Sequence, residues 1–580
     1  MQNNQQRLFL LLILAVIIYF LYTKWVEYKN PAPITSIEQA VQGSQQGVGD
    51  GAVPMIGGND QGQPAAMNVE DYITVITDVY EMKIAKKGGD IIEAGLLQYP
   101  ESLEEKDQPF KVMDNTQERF QVTRTGLSSQ THEGTPNHTN AVFNSAQNHY
   151  ELADNAESLI VPLTFVDPAT GLTVTKTYEF KRGLYTVGFS QKLENNSNQV
   201  WVGGEYREIA ARKPKVEKGA AIGASSFDGS VFSLPNNDYK YEKLAYDKMT
   251  TKERGFNANG QEVTQYRPKE FRGEGGWVAM IEQYFVAASI PGKDKEATKQ
   301  TQNVIQTLQY GDFKDVSQNT YVIRMMDQSP VTVKPGESYD FESRYFIGPK
   351  LKEQLEETAA YLDLTLDFGW FSPISELMLW VLKFFYSFVG NWGWAIILLT
   401  LTVKLALFYF ANKGYTSMAR MRNVAPKLAL IREEYADNRQ KQSEEMMKLY
   451  RKEKINPLGG CWPIVIQIPV FIALFWMLME SVELRQPPWL LWLHDLSKMD
   501  PYFILPVIMG ITMFFQQRLN PAPTDPMQQK IMKWLPVVFT FMFMWFAAGI
   551  VLYWITNNLL TILQQTFIMK RVERDSKKHS

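Results

Sequence analysis

Apolar residues in this chain are gathered into long runs at two places, and that distribution limits the fold more than any single motif. One run, Leu8 to Tyr22, stands near the start, and the others follow one another after about residue 390. Crossing the hydrocarbon of a bilayer takes about 20 apolar residues in a helix, whose backbone polar groups are satisfied internally. The intervening stretch is polar and rich in Gln, Asn and Gly, so an average over all 580 residues hides the contrast. The pattern predicts an α-helical membrane bundle joined to a separate polar domain.

The flanks of the first run argue against a cleaved signal peptide. Arg7 precedes it, and Lys24, Trp25 and Glu27 follow where small residues would be needed for cleavage. Residues 1–29 are therefore expected to be an N-terminal transmembrane anchor, with Arg7 marking a cytoplasmic start. Residues 30–68 have no apolar period and suit a flexible linker.

From 69 to 350 the period changes to two. Tyr80, Met82 and Ile84 alternate with polar residues before Gly88-Gly89-Asp90. Tyr178 and Phe180 lead into Lys181-Arg182-Gly183, after which Tyr185, Val187 and Phe189 resume the alternation. Repeated hairpin signals of this kind predict a large all-β sandwich domain. Residues 351–388 switch to helical spacing. Leu351 to Leu362 forms one helix, and Phe371 to Phe388 carries Ile374, Leu377, Val381 and Phe384–Phe385 on one stripe, with Ser375, Glu376 and Lys383 on the other side. A helix of that kind is expected to lie in the membrane interface.

Residues 389–569 contain five candidate core spans: Trp392–Phe410, Trp462–Met479, Tyr502–Phe515, Trp534–Phe546 and Ile550–Ile568. A tight turn at Ala547-Ala548-Gly549 separates the last two. With the anchor, six spans result. Between Lys413 and Lys454 stand eleven Lys/Arg, and five more stand in the tail at 570–580. The loop from Glu480 to Pro501 has only Arg485 and Lys498 against four acids. Positive charge stays on the cytoplasmic side, so both termini are expected there and the β-domain opposite. The basic segment 413–457 reads as a helical hairpin, Met418–Tyr435 and Gln442–Lys454, with a turn at Asp437-Asn438. Its alternative is a charged loop that packs only on itself.

One residue breaks the apolar rule. Lys404 is the only charged residue in Trp392–Phe410, and a charge at the centre of a bilayer costs about 2.5–3.5 kcal/mol on insertion scales. Thr400 lies one turn earlier on the same face. Gln467, Thr556, Asn557 and Asn558 are further polar groups inside candidate spans, and together these could line a hydrated cavity. The competing explanation is snorkelling, with the ammonium reaching the headgroups along its own stem.

Other chemistry finds little support. The formal charge of −3 and the lack of a domain-wide basic surface give no reason to expect specific nucleic-acid binding. Cys461 is the single cysteine, which excludes an intramolecular disulfide framework. No phosphate-binding GxxxxGK[ST] loop is present. His132, Glu133, His138 and His149 match no zinc-ligand spacing. No cofactor, metal or enzymatic activity is expected.

From about Gly369 onward the chain resembles the YidC membrane-protein insertases of Gram-negative bacteria. The resemblance rests on SFVGNWGWAI (387–396), YTSMARMR (415–422), EEMMKLYRKEKINPLGGCWP (444–463), TDPMQQKIMKWLP (524–536) and VLYWITNNLLTILQQ (551–565), among others. GGDIIEAGLLQYP (88–100) and GGWVAMIEQYF (275–285) extend it more loosely into the β-region. It implies a monomeric insertase of the bacterial inner membrane, whose spans form a hydrophilic groove open to cytoplasm and lipid. A cation in that groove attracts acidic residues of an incoming chain. By position the cation is Lys404, where the family's commonest residue is arginine, and a lysine lacks the planar fork. The resemblance makes Thr400, Gln467 and Trp554 groove walls. Nascent membrane proteins are the implied substrates, with the ribosome, targeting factors and the Sec translocon as partners. Arg420, Arg422, Lys427, Arg432, Arg451 and Lys452 of the hairpin are the candidate docking residues.

Two other function classes fit parts of the sequence. A secondary transporter would use Lys404 as a substrate or proton site, but the spans contain no visible internal repeat. A periplasmic binding or chaperone domain would need the membrane part only as an anchor. Deleting 69–340 would abolish that activity while sparing an insertase.

Overall fold

Alternation in the polar region resolves into strands that pair in two sheets. The computed structural model describes residues 71–116, 118–132, 134–213, 227–235, 239–256, 262–310, 319–453, 462–520 and 526–579. The expected N-terminal anchor, the linker and Cys461 lie outside these residues. The described residues fall into two compact units. One takes in the strands together with Met479–Gln486, and the other holds the helices of Phe368–Leu478 and those that follow Pro487.

In the first unit, strands between Tyr72 and Pro349 build a twelve-stranded and an eight-stranded sheet. Pairing is antiparallel except where Thr74–Ile76 runs parallel to His149–Glu151. Strand Tyr80–Ala85 buries Tyr80, Met82 and Ile84 and leaves Glu81 exposed, as period-two alternation requires. Consecutive left-handed residues Gly88 and Gly89 (φ 80° and 66°) make the turn that follows, a conformation glycine adopts without steric cost. Strands Leu172–Lys181 and Thr186–Asn195 pair in the other sheet, with Tyr178, Phe180, Val187 and Phe189 buried. The inward residues of both sheets form one core, so the β-region is a sandwich.

Charge is buried inside that sandwich as well. The Lys176 ammonium, from the smaller sheet, donates to the Thr125 hydroxyl at 2.6 Å and the Thr125 carbonyl at 3.1 Å in the larger sheet. Asp90 stands 3.4 Å away. Burial pushes the Lys176 pKa down and the Asp90 pKa up, each opposed by the charge of the other. Sheltered charges persist only when their donors and acceptors are satisfied. His132, His138 and His149 take separate partners: Thr131 and Ser197, Tyr206, and Glu151.

The second unit is helical. Its helices are α1 (Ser372–Val389), α2 (Trp392–Ala406), α3 (Phe408–Asn423), α4 (Ala425–Glu434), α5 (Arg439–Lys452), α6 (Trp462–Glu480), α7 (Ile504–Leu519), α8 (Pro526–Phe543) and α9 (Ala548–His579). Gly390 closes α1 in the left-handed conformation (φ 60°), its N–H bonded to the Tyr386 carbonyl at 2.8 Å. Asn391 then opens α2, its side chain accepting from the Trp394 N–H at 3.2 Å.

Several boundaries differ from the sequence expectation. The run Trp392–Phe410 is not one rod: α2 stops at Ala406 and α3 leaves at 70°. Neither proline nor glycine stands at the break. Thr400 and Thr402 return their hydroxyls to the carbonyls of Ile396 and Leu398, earlier in α2 than the break. No single described helix is long and apolar enough to cross a membrane, although α2 and α3 pass that test together. The hairpin arm expected over Met418–Tyr435 is divided at Val424, because Pro426 lacks the N–H that a continuing helix needs and suits the first turn of a new one. The turn expected at Ala547-Ala548-Gly549 falls earlier, and Gly549 is already inside α9. On α1, Ser375 does not face water. It is fully buried and donates to the Ala473 carbonyl of α6 at 2.9 Å, while Leu377, Trp380, Phe384 and Phe388 are exposed.

Candidate functional site

Helix α9 supplies the polar face around which the site is built. Asn557, Thr561 and Gln565 recur every four residues, so they share one side of the helix. All three are buried, as is Asn558 beside them. Apolar neighbours on α9, including Leu559, Leu563 and Phe567, point outward and are exposed. The helix is thus inverted relative to a water-soluble one. Over its 32 residues, α9 hides these polar groups between helices.

Each of these polar groups has a partner on a neighbouring element. Gln467 of α6 donates through Nε2 to Asn557 Oδ1 at 2.6 Å. Asn558 Nδ2 donates to Thr512 Oγ1 of α7 at 3.2 Å. Gln565 Nε2 donates to Asn520 Oδ1, just past α7, at 3.0 Å. Against an apolar background an unmade bond of this type costs about 1–3 kcal/mol. The seam therefore sets how α6, α7 and α9 register.

Lys404 joins the same seam. It sits half-buried in the last turn of α2, and its ammonium donates to Thr561 Oγ1 at 2.8 Å. The side chain is turned to α9. Among the described residues its ammonium pairs with no carboxylate. Val403, Lys404 and Leu407 line a small open recess with Phe410, Ala411 and Tyr415 of α3 and Ile466 and Gln467 of α6. A lysine ammonium has three N–H donors. One is used here, so the group can still donate to an acidic side chain that enters the recess.

Two of the four expected groove residues, Lys404 and Gln467, meet at this recess. Thr400 does not reach it: it is buried, and its hydroxyl donates to the Ile396 carbonyl at 2.7 Å. Trp554 lies edge-on to Phe471 and Phe543, with ring centroids 5.1 and 5.6 Å apart, and packs in an aromatic cluster. Its indole nitrogen is buried without a hydrogen-bond partner among the described residues. Thr561, Gln565, Thr512 and Asn520 were missed in the sequence. The four-residue recurrence 557-561-565 was the available signal.

In the basic segment, α4 and α5 lie against each other through Val424, Leu428, Met446 and Tyr450, with Ile431 and Leu449 beside them. Arg420, Arg422, Lys427, Arg451 and Lys452 are exposed, whereas Arg432 is partly covered. Lys427 is paired with Glu453 at 2.8 Å, so it is a weaker candidate for docking than its neighbours.

Comparison with known proteins extends over nearly the whole chain. Residues 72–381 match the family model described as the YidC periplasmic domain, and residues 384–576 match that of the 60Kd inner membrane protein. The chain is 38% identical over 577 residues to the membrane protein insertase YidC of Nitrosococcus oceani, covering 98% of this chain and 99% of that one. It is 39% identical over 590 residues to the YidC of Pseudomonas putida strain W619, covering 99% of each. A solved structure of an active YidC insertase with its first transmembrane domain resolved covers 86% of this chain and 92% of its own, at 17% identity and a TM-score of 0.35. The relatives are named for insertion, which is not an enzymatic reaction, and the β-sandwich is the family's periplasmic domain. With both halves matched and relatives aligned end to end, this chain belongs to the YidC family of inner-membrane protein insertases.

Proposed function

We propose that this protein inserts nascent membrane proteins through a polar groove in which Lys404 is the attracting cation. The supporting observation is the Lys404 ammonium itself, bonded at 2.8 Å to Thr561 beside an open recess and paired with no carboxylate among the described residues. In a low-dielectric setting a charge-assisted bond to an entering carboxylate is roughly twice as strong as a neutral one. An acidic residue of a short far-side segment is held at the recess while the apolar part of the substrate moves out against lipid. Burial of that apolar area drives the transfer.

In this reading the helical unit provides five core spans in addition to the N-terminal anchor. The broken pair α2–α3 crosses as one element, and α1 lies in the interface with Leu377, Trp380 and Phe388 toward lipid. Both termini and the α4–α5 hairpin are cytoplasmic, and the sandwich is periplasmic. The hairpin, through Arg420, Arg422, Arg432, Arg451 and Lys452 (with Lys427 a lesser contributor), receives segments from the ribosome, targeting factors or the Sec translocon. A single copy acts. Thr400 and Trp554 shape the walls by packing, while Lys404 and Gln467 face the substrate.

Photocrosslinkers placed at 411, 467 and 554, with Lys404 kept, test this with a stalled nascent membrane protein. Positions 411 and 467, which line the recess, should capture the substrate's acidic flank, and 554 should do so less. Absence of adducts from 411 and 467 would overturn the reading.

A further inference from the structure

The Lys404 side chain has four rotatable carbons and could place its charge in many directions, yet one contact directs it. Thr561 is 2% exposed, and its hydroxyl, which also lies against Tyr415, makes two hydrogen bonds that bear on Lys404. It donates its proton to the Asn557 carbonyl at 2.7 Å, one turn earlier on α9. Its oxygen then faces Lys404 as an acceptor and receives the ammonium at 2.8 Å. A hydroxyl holds one proton, so this commitment leaves Thr561 no alternative but to accept. Asn557 is itself held by Gln467 at 2.6 Å, and Gln467 lines the same recess as Lys404.

We infer that Thr561 is the positioning residue for Lys404, which uses one ammonium proton to turn the cation toward α9 and leaves two for an incoming carboxylate. This inference rests on the reading of Lys404 as the attracting cation. It also bears on lysine at this position. An arginine presents a rigid, planar fork of donors, whereas a lysine is a point charge on a flexible stem and needs an outside restraint to aim it. Thr561 supplies that restraint. Without it the stem is free to carry the charge out toward the headgroups.

The test uses the full-length protein in proteoliposomes and a single-span substrate whose far-side tail carries two aspartates, compared with the same tail bearing asparagines. Thr561→Val keeps the shape of the side chain and removes the acceptor. It should lower insertion of the aspartate tail by about tenfold or more, the scale of a lost hydrogen bond to a charged group, and leave the asparagine tail almost unchanged. Thr561→Ser should restore insertion. In a Lys404→Met background, Thr561→Val should have no further effect, because there is no cation left to aim. A loss that is equal for both tails, or that persists in the Lys404→Met background, assigns Thr561 a packing role and overturns the inference. Full insertion of the aspartate tail by Lys404→Met would instead overturn the reading of Lys404 itself.

Discussion

The side-chain amide of Gln467 on α6 bonds the side-chain carbonyl of Asn557 on α9 at 2.6 Å, joining two helices that are 90 residues apart in sequence. Because both groups are partly sheltered, removing either strands the other. Gln467→Leu and Asn557→Leu should each lower the thermal stability of the solubilised protein, and the double variant should lose less than the sum. A coupling of about 1 kcal/mol is expected for a neutral pair. Strictly additive losses would mean that the bond contributes nothing.

Charge at position 404 is the next variable. Lys404→Arg keeps the cation and adds a planar fork, so insertion of substrates with acidic far-side tails should be retained or raised. Lys404→Glu reverses the sign and should reduce it by about tenfold or more. A reconstituted insertion assay reads both. Equal insertion by the two variants would remove charge attraction from the mechanism.

On the sandwich, His138 gives a pH prediction. Its Nδ1 lies 2.5 Å from the Tyr206 hydroxyl, and its Nε2 is 3.9 Å from Glu208. Burial lowers its pKa to about 4, outweighing the opposing pull of Glu208. In the unfolded chain a histidine titrates near 6.5. The unfolded state therefore binds the proton first as pH falls. The stability that the neutral imidazole contributes is complete above about pH 6.5 and declines as pH drops toward 4. The full window corresponds to about 3 kcal/mol. Pulse proteolysis of the solubilised chain in urea, at pH 7 and pH 4.5, should show a smaller loss for His138→Gln than for the native residue. Parallel losses would exclude His138 as the source.

Asp500 caps the start of α7 from a buried position. It accepts from the Leu505 N–H at 2.7 Å, the Tyr502 N–H at 3.1 Å and the Trp492 indole at 2.9 Å. Asp500→Ala should destabilise this corner by about 2–3 kcal/mol, and Asp500→Asn should recover part of it. Limited trypsin digestion at Lys498, together with thermal unfolding, measures the effect. An unchanged digestion rate for Asp500→Ala would show that the cap is dispensable.

Much of the architecture was legible from local pattern. Alternation at Tyr80, Met82 and Ile84 specified a strand and its buried face, since a period of two permits one inward side. The interval between Phe388 and Trp392 separated two helices in the sequence, and the structure closes one with Gly390 and opens the next with Asn391. In the basic segment, Leu428, Met446 and Tyr450 meet in one small core, where the sequence predicted two helices joined by a turn. Less visible was the break after Ala406, where no proline or glycine stands. The inward turn of Ser375 was also hidden, because a serine on an apolar helix suits water and a carbonyl of a neighbouring helix equally well.

Sequence alone determined which segments are strands and which are apolar helices, and it isolated Lys404 as the one charge that needed a reason. Those features depend on neighbours a few residues away, where side-chain period and backbone preference act directly. Only the tertiary structure decided that Lys404 meets Thr561, that Gln467 meets Asn557, and that Thr400 and Trp554 turn to packing. A polar group on a helix fixes its own face but not the helix opposite, and the strength of each bond comes from burial that exists only once the bundle has closed.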